Sequence, residues 1–249
     1  MLDFSSSLVI AVAATFFAAG VVKGITGMGL PTLAMGVLGV LISPLAAASL
    51  LIVPSFVTNI WQLLAGPSFG ALALRLWPMM LAIAVGTVGG SSVLAGGGAM
   101  LTTGALGAAL ILYAAFTLFA RQLRVPTNRE PWLSPAVGTA TGIVTGATGV
   151  FVMPAVPYLQ ALGLERDELV QALGLSFTVS TVALTAGLIW QGVFEVDHLF
   201  ASVLAIAPAL AGMWVGQIIR SRVSPSAFRR WFLICLLALG AKMLADAMI

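Results

Sequence analysis

The chain has 249 residues, of which 60% are hydrophobic and 8% are charged, and its mean hydropathy is +1.11. So few charges cannot cover the surface of a water-soluble domain of this size, and the composition therefore indicates a membrane protein. The net charge of +3 does not indicate nucleic-acid binding, because the basic residues cluster in short loops between apolar runs, as orientation in a membrane requires.

Ten apolar segments follow one another along the chain. Backbone groups in lipid must hydrogen-bond internally, which leaves helices or a closed barrel, and a barrel would alternate apolar and polar residues, as this chain does not. The predicted fold class is therefore an all-α polytopic membrane protein. The segments are 8–27, 30–41, 45–65, 72–95, 99–121, 134–150, 151–162, 168–190, 198–219 and 227–247.

A hydrophilic linker at 125–133 divides the chain into two halves of nearly equal length. We predict a first membrane repeat at 1–124 and a second at 134–249, each with five apolar segments in the same order. The linker itself is predicted to lie in the cytoplasm.

Both halves carry a glycine-rich interruption in their first apolar stretch. The spacing in each is Gly-x3-Gly-x2-Gly with a proline four or five residues later. The pattern predicts that the helix breaks at both places, which is typical of transporters that bind their substrate beside broken helices. The predicted helix-break residues are Gly24 and Pro31 in the first half and Gly146 and Pro154 in the second.

Loop charge predicts the topology. The positive-inside rule places two arginine clusters in the cytoplasm. An even number of crossings must separate them, so 134–162 enters and leaves on the same side as a hairpin. Each half then holds a broken-helix hairpin and three transmembrane helices, the halves are inverted repeats, and both termini are periplasmic. Parallel repeats of four full spans are the alternative. The two clusters are Arg121, Arg124 and Arg129, then Arg220, Arg222, Arg229 and Arg230.

Lys23 is the first candidate for binding. It is the one ionisable residue near the middle of a long apolar run, and it lies beside the first glycine break. A charge there is costly and usually serves a function, and an unpaired cation suggests an anionic partner. The alternative is a lysine that extends along its stem to the membrane interface. The second half has Thr145 at the corresponding position.

The breaks themselves are the second candidate. An interrupted helix exposes backbone N–H groups that bind anions, so we expect free amides at Gly27, Gly29 and Gly149. The hydroxyls of Thr26 and Thr148 would add donors. The alternative is close packing of helices through glycines, which we expect at Gly86, Gly90, Gly212 and Gly216.

A polar helix face in each half is the third candidate. A shift of about 123 residues maps Ser55, Thr58 and Gln62 onto Thr178, Thr181 and Thr185, each set lying on one helix face, with Asn59 beside the first. These faces would form the walls of a shared polar cavity. The alternative is that the hydroxyls bond to carbonyls of their own helix.

The sequence argues against an enzyme. A single histidine, a single cysteine and the lack of an intramembrane acid leave no nucleophile–base pair or metal-ligand set, so we expect no catalytic residue, metal or cofactor. The expected partners are a small anionic substrate and the lipid bilayer, and the sequence allows a homodimer.

The paired glycine motifs, the prolines that follow them and the basic linker resemble the TauE/SafE family of sulfite exporters, also called toluene sulfonate uptake permeases. The resemblance covers essentially the whole chain. It implies a secondary transporter in a bacterial inner membrane that moves sulfite, sulfoacetate or another organosulfonate by alternating access. A passive anion channel, or a carrier for a non-sulfur organic anion, is the alternative.

Overall fold

A computed structural model describes residues 6–119, 124–194, 196–220, 222 and 224–248, so that Arg121 of the first arginine cluster lies outside it. Every regular element in these residues is helical. Six helices among them are long and apolar enough to span a membrane. The predicted all-α polytopic membrane fold is therefore confirmed.

The first half forms five helices, which match the five predicted segments. A break of three residues separates the first helix from the second, at the place where the glycine motif predicts it. The helices are α1 (Ser6–Thr26), α2 (Leu30–Leu41), α3 (Pro44–Leu64), α4 (Phe69–Gly96) and α5 (Gly98–Phe119).

The second half repeats this order after a 3₁₀ turn at Thr127–Arg129. Its first helix begins inside the predicted linker, because a proline at the second helical position suits a first turn. Its fourth segment is interrupted at Ala205, where Pro208 cannot donate a hydrogen bond to the carbonyl of Leu204. The helices are α6 (Glu130–Thr148), α7 (Ala155–Ala161), α8 (Arg166–Trp190), α9 (Val196–Leu204), α10 (Ile206–Ile219) and α11 (Pro225–Asp246).

Glycines bring two pairs of helices into backbone contact. In the pair α1–α10, a Cβ atom at Gly24 or at Gly216 would overlap a carbonyl oxygen of the facing helix. In the pair α4–α6, a Cβ at Gly90 would lie 2.7 Å from the carbonyl oxygen of Ile143, and one at Gly146 would overlap the carbonyl oxygen of Thr87. The expected close packing of glycines is confirmed.

This packing corrects two of the predicted helix-break residues. Gly24 and Gly146 lie inside α1 and α6, where their missing side chains let another helix approach. The chain leaves the helix only after Thr26 and Thr148, and α2 then begins with Pro31 in its first turn, while Pro154 precedes α7.

Each glycine-packed pair joins one half of the chain to the other. The first helix of the first half, α1, packs on α10 of the second, and the first helix of the second half, α6, packs on α4 of the first. Helices of matching position also meet, α3 with α8 and α5 with α11. A two-fold relation between the halves would produce this reciprocity, and both that relation and the inversion of the halves across the membrane stay predictions.

Candidate functional site

The first break is closed by hydrogen bonds within its own residues. Gly27 has the left-handed conformation (φ +78°), and its N–H donates to the carbonyl oxygen of Lys23 at 2.7 Å. The N–H of Met28 donates to the Thr26 hydroxyl at 3.2 Å. Gly29 is also left-handed (φ +96°) and precedes α2. Two glycines are needed here because other residues rarely adopt this conformation.

The second break repeats this arrangement. Gly149 is left-handed (φ +69°), and its N–H donates to the carbonyl oxygen of Thr145 at 2.7 Å. The N–H of Val150 donates to the Thr148 hydroxyl at 3.2 Å. Each of these atoms follows its counterpart in the first break by 122 residues. The helix ends at the two breaks are therefore one local structure used twice.

These hydrogen bonds overturn the expectation of free amides at Gly27 and Gly149. Both N–H groups terminate a helix by bonding to a carbonyl of its last turn, as left-handed glycine caps do. Thr26 and Thr148 serve as local partners in the same caps. The carbonyl of Gly27, rather than its amide, faces the rest of the site, where it accepts a hydrogen bond from Gln62 at 2.8 Å.

Lys23 lies at the centre of the polar residues that the fold brings together. Its side chain is buried, with 3% of the residue exposed, so it does not extend to the interface. Its ammonium donates to the Thr58 hydroxyl at 3.2 Å and to the side-chain oxygen of Asn59. The Asn59 amide nitrogen in turn lies 3.3 Å from the Thr181 hydroxyl. A chain of hydrogen bonds thus runs from α1 through α3 to α8.

The ammonium of Lys23 lacks an acidic partner among the described residues. Both of its hydrogen-bond partners there are neutral, and α1, α2, α3 and α10 contain no other charged residue. An ammonium group has three N–H donors, and neutral oxygens do not offset a full charge that is removed from water. The site therefore has the capacity to bind a negative charge.

Two further side chains on the same face of α3 have unused polar atoms. The Gln62 amide nitrogen donates to the carbonyls of Gly27 and Val170, at 2.8 and 3.0 Å, which fixes its orientation. Its buried carbonyl oxygen has no hydrogen-bond partner among the described residues. The fully buried hydroxyl of Ser55, one turn before Asn59, likewise has none. Five other buried hydroxyls of the described residues also lack a partner, and a ligand beside Lys23 would satisfy the two on this face of α3.

A proline in α3 explains how this face is held. Pro54 cannot donate to the carbonyl of Leu50, and the hydroxyl of Ser202 in α9 donates to that carbonyl instead, at 2.8 Å. The carbonyl of Pro54 accepts from Thr58 at 2.8 Å. The second half of the chain therefore bonds to α3 at the turn that Pro54 interrupts, one turn before Thr58.

The predicted face of α8 is only partly correct. The hydroxyls of Thr178 and Thr185 donate to carbonyls of their own helix, at 2.7 and 2.8 Å, and do not join the chain of hydrogen bonds. The offset of 122 residues found at the breaks pairs Thr58 with Ser180 and Asn59 with Thr181. Ser180 is fully buried, and the predicted shift of 123 residues does not identify it, because that shift pairs Thr58 with Thr181 instead.

Phenylalanines fill the corresponding space in the second half. Phe151 and Phe177 are fully buried, and their ring centroids lie 6.4 Å apart. The same offset makes them the counterparts of Gly29 and Ser55. The first half thus has the cation Lys23 and the small residues Gly29 and Ser55. The second half has Thr145 and two phenylalanine rings at the corresponding positions, so the candidate site is asymmetric.

Gln171 is a second polar residue that sequence patterns do not reveal. It is fully buried, and its amide nitrogen donates to the carbonyls of Leu63 and Gly66, both at 2.8 Å, while its oxygen accepts from the N–H of Ser68 at 2.8 Å. All of its hydrogen-bonding groups are satisfied, so it fastens α8 to the turn between α3 and α4. Its role is structural.

An ion pair joins α4 to α6 at the start of the second half. Arg75 Nε lies 2.7 Å from Glu130 Oε1, and Arg75 Nη2 lies 2.8 Å from Glu130 Oε2. This two-pronged geometry orients the pair as well as stabilising it. Arg75 is thus paired, in contrast to Lys23.

The fold and this site define a polytopic helical membrane protein built around a duplicated broken helix. A family model described as sulfite exporter TauE/SafE matches residues 12–243. The chain therefore belongs to the TauE/SafE sulfite exporter family, as its motifs predict, and the family implies a membrane transporter of sulfur-containing anions. No curated protein and no solved structure matched the chain.

Proposed function

We propose that the protein is a secondary transporter that carries sulfite, sulfoacetate or another organosulfonate across the bacterial inner membrane. The observation that carries the proposal is the Lys23 ammonium, which is buried beside the first break with neutral partners. Keeping such a charge inside a membrane protein costs several kcal/mol of free energy, and a bound anion would offset that cost. We infer no enzymatic activity.

The anion would bind on the α3 side of Lys23. Two hydrogen-bond donors lack a partner among the described residues: the third N–H of the Lys23 ammonium and the hydroxyl of Ser55. Both can donate to sulfonate oxygens. The anion would compete with Asn59 for the ammonium. When no anion is bound, Asn59 and Thr58 would hold Lys23 in place.

The glycine contacts support an inference about which parts of the protein would move. Rocking of one repeat against the other would separate α1 from α10 and α6 from α4, the two pairs that touch backbone to backbone. We therefore infer that alternating access does not occur by this motion. The moving bodies would be the α1–α10 pair and the α4–α6 pair, each drawn from both halves.

The seam between these bodies would run along α3 and α8. Asn59 and Gln62 of α3 bond across it to Thr181 and to the carbonyl of Val170. These hydrogen bonds would break as the two bodies separate. Their loss would open the Lys23 site to one side of the membrane.

We retain the inverted topology for this transporter. The two-fold reciprocity of the helix contacts supports two related repeats at 1–124 and 134–249. With the arginine-rich ends in the cytoplasm, both termini would be periplasmic. The half-helices of the two repeats would then reach the membrane interior from opposite sides.

Counterflow in proteoliposomes tests whether the protein is a carrier. Vesicles loaded with unlabelled sulfite should accumulate labelled sulfite transiently, and faster than empty vesicles do. Each unlabelled sulfite that a carrier releases outside leaves an empty binding site at the outer face, where labelled sulfite can bind. A passive channel would equilibrate the label with no such overshoot. If labelled carboxylates overshoot and sulfite and organosulfonates do not, the substrate is a non-sulfur organic anion.

A further inference from the structure

We propose that the Lys23 site selects anions that carry a single negative charge. This inference rests on the proposed function, since it concerns the charge of the anion bound at that site, and among the anions named there it disfavours sulfoacetate, which carries two negative charges at neutral pH. It follows from the number of charges around the site rather than from its shape.

Lys23 supplies one positive charge, and the groups bonded to it supply none. Thr58 and Asn59 are neutral, and so are Ser55, Gln62 and Thr181 on the neighbouring surfaces of α3 and α8. The described residues around the ammonium thus amount to one cation in a neutral polar setting.

Charged and titratable residues on the helices that pack on α1 and α3 lie towards helix ends or are paired, including Asp197 and His198 in the first turn of α9 and the half-buried Arg220 at the end of α10. On α11, Arg229 is half-buried and Arg230 exposed near its start, and Lys242 is paired with Asp246. On α8, three charged residues lie in the first turn, half-buried or exposed: Arg166, Asp167 and Glu168. On α4, Arg75 is paired with Glu130.

A monoanion bound to Lys23 leaves the site with no net charge. A dianion of the same size would leave one negative charge among buried neutral groups, which is strongly unfavourable away from water. The single hydroxyl of Ser55 would not offset that charge. We therefore expect the monoanion of a size-matched pair to bind at least tenfold more tightly.

Two pairs of anions test the inference on the purified full-length protein. Methanesulfonate and sulfate are tetrahedral anions of similar size with one and two charges. Hydroxyethanesulfonate and sulfoacetate form a longer pair with the same difference. Dissociation constants are measured by calorimetry at fixed ionic strength and neutral pH. In each pair that binds, the monoanion is expected to be the tighter ligand by at least tenfold.

Each outcome has a distinct meaning. A dianion that binds as tightly as its partner, or more tightly, overturns the charge selection and leaves the proposed transport of sulfur-containing anions in place. If no member of either pair binds, and sulfite does not bind either, the proposed function itself fails and the inference fails with it.

An Asn59→Asp variant provides a second test that does not remove Lys23. The new carboxylate would accept a hydrogen bond from the Lys23 ammonium in place of the Asn59 oxygen. It would neutralise the positive charge that the anion would otherwise bind. We expect it to weaken binding of the monoanion at least tenfold and to raise the thermal stability of the ligand-free protein. Undiminished monoanion binding by this variant would contradict the proposal.

Discussion

Replacing Lys23 with methionine is expected to weaken anion binding roughly a hundredfold, and transport with it, while the protein remains folded. Methionine has a similar length and no charge, so it removes the positive charge that the anion would meet. Loss of one partner of a buried, hydrogen-bonded charge pair costs about 2–5 kcal/mol, and about 3 kcal/mol corresponds to roughly a hundredfold in affinity. The measurement is sulfite binding and uptake by the purified variant.

The folded state should tolerate this change. The variant leaves the Asn59 oxygen without the ammonium, which costs about 1–3 kcal/mol, but it also relieves the burial of a charge. Lys242→Met is the control, because Lys242 is exposed and paired with Asp246 at 2.6 Å on α11. Full transport by K23M would remove Lys23 from the mechanism, and a defect in K242M would show that loss of any lysine charge suffices.

Gly90→Ala is expected to destabilise the protein, whereas Gly89→Ala should not. A Cβ at Gly90 would lie 2.7 Å from the carbonyl oxygen of Ile143, so α4 and α6 would have to separate. Overpacking of this kind costs about 1–3 kcal/mol. A Cβ at Gly89, the preceding residue of α4, would meet no atom of another helix within 4 Å in the part of the chain that the structure describes. Thermal unfolding of both variants in the same detergent checks the difference.

The same comparison tests the proposed moving bodies. If α4 and α6 move as one unit, G90A should reduce stability and transport together, and the larger overlap at Gly146 should make Gly146→Ala more severe. Equal stability of G89A and G90A would show that the two helices do not depend on this contact. Rocking of one repeat against the other would then become admissible again.

Much of the fold follows from the sequence because the membrane restricts the alternatives. Apolar segments bounded by glycine, proline or charge predict ten helical stretches, and the structure places a helix in each. The breaks are predictable because a left-handed glycine cap followed by a proline stops a helix. The prediction that Gly24 and Gly146 break the helices is wrong. Glycine is favoured both where helices pack and where they end, and only the position of the neighbouring helix distinguishes the two roles.

The candidate site was predictable in its charge but not in its connections. Lys23 is conspicuous in an uncharged run, and the i, i+3, i+7 spacing places Ser55, Thr58 and Gln62 on one face. Ser202 and Gln171 bond to backbone carbonyls that other helices leave without a partner. Which carbonyls these are depends on the folded chain, so no local sequence pattern predicts the two contacts. The pairing of α1 with α10 is a long-range contact of the same kind.

The most direct test of the central claim is to locate a heavy analogue of the substrate in crystals of the wild-type protein. Selenite resembles sulfite, and its selenium gives an anomalous signal. We predict a selenium peak about 3–4 Å from Lys23 Nζ, on the side of Ser55, consistent with hydrogen bonds from the ammonium to the bound oxygens. Selenium found only at the arginine-rich helix ends, with the contact between Lys23 and Asn59 intact, would contradict the account.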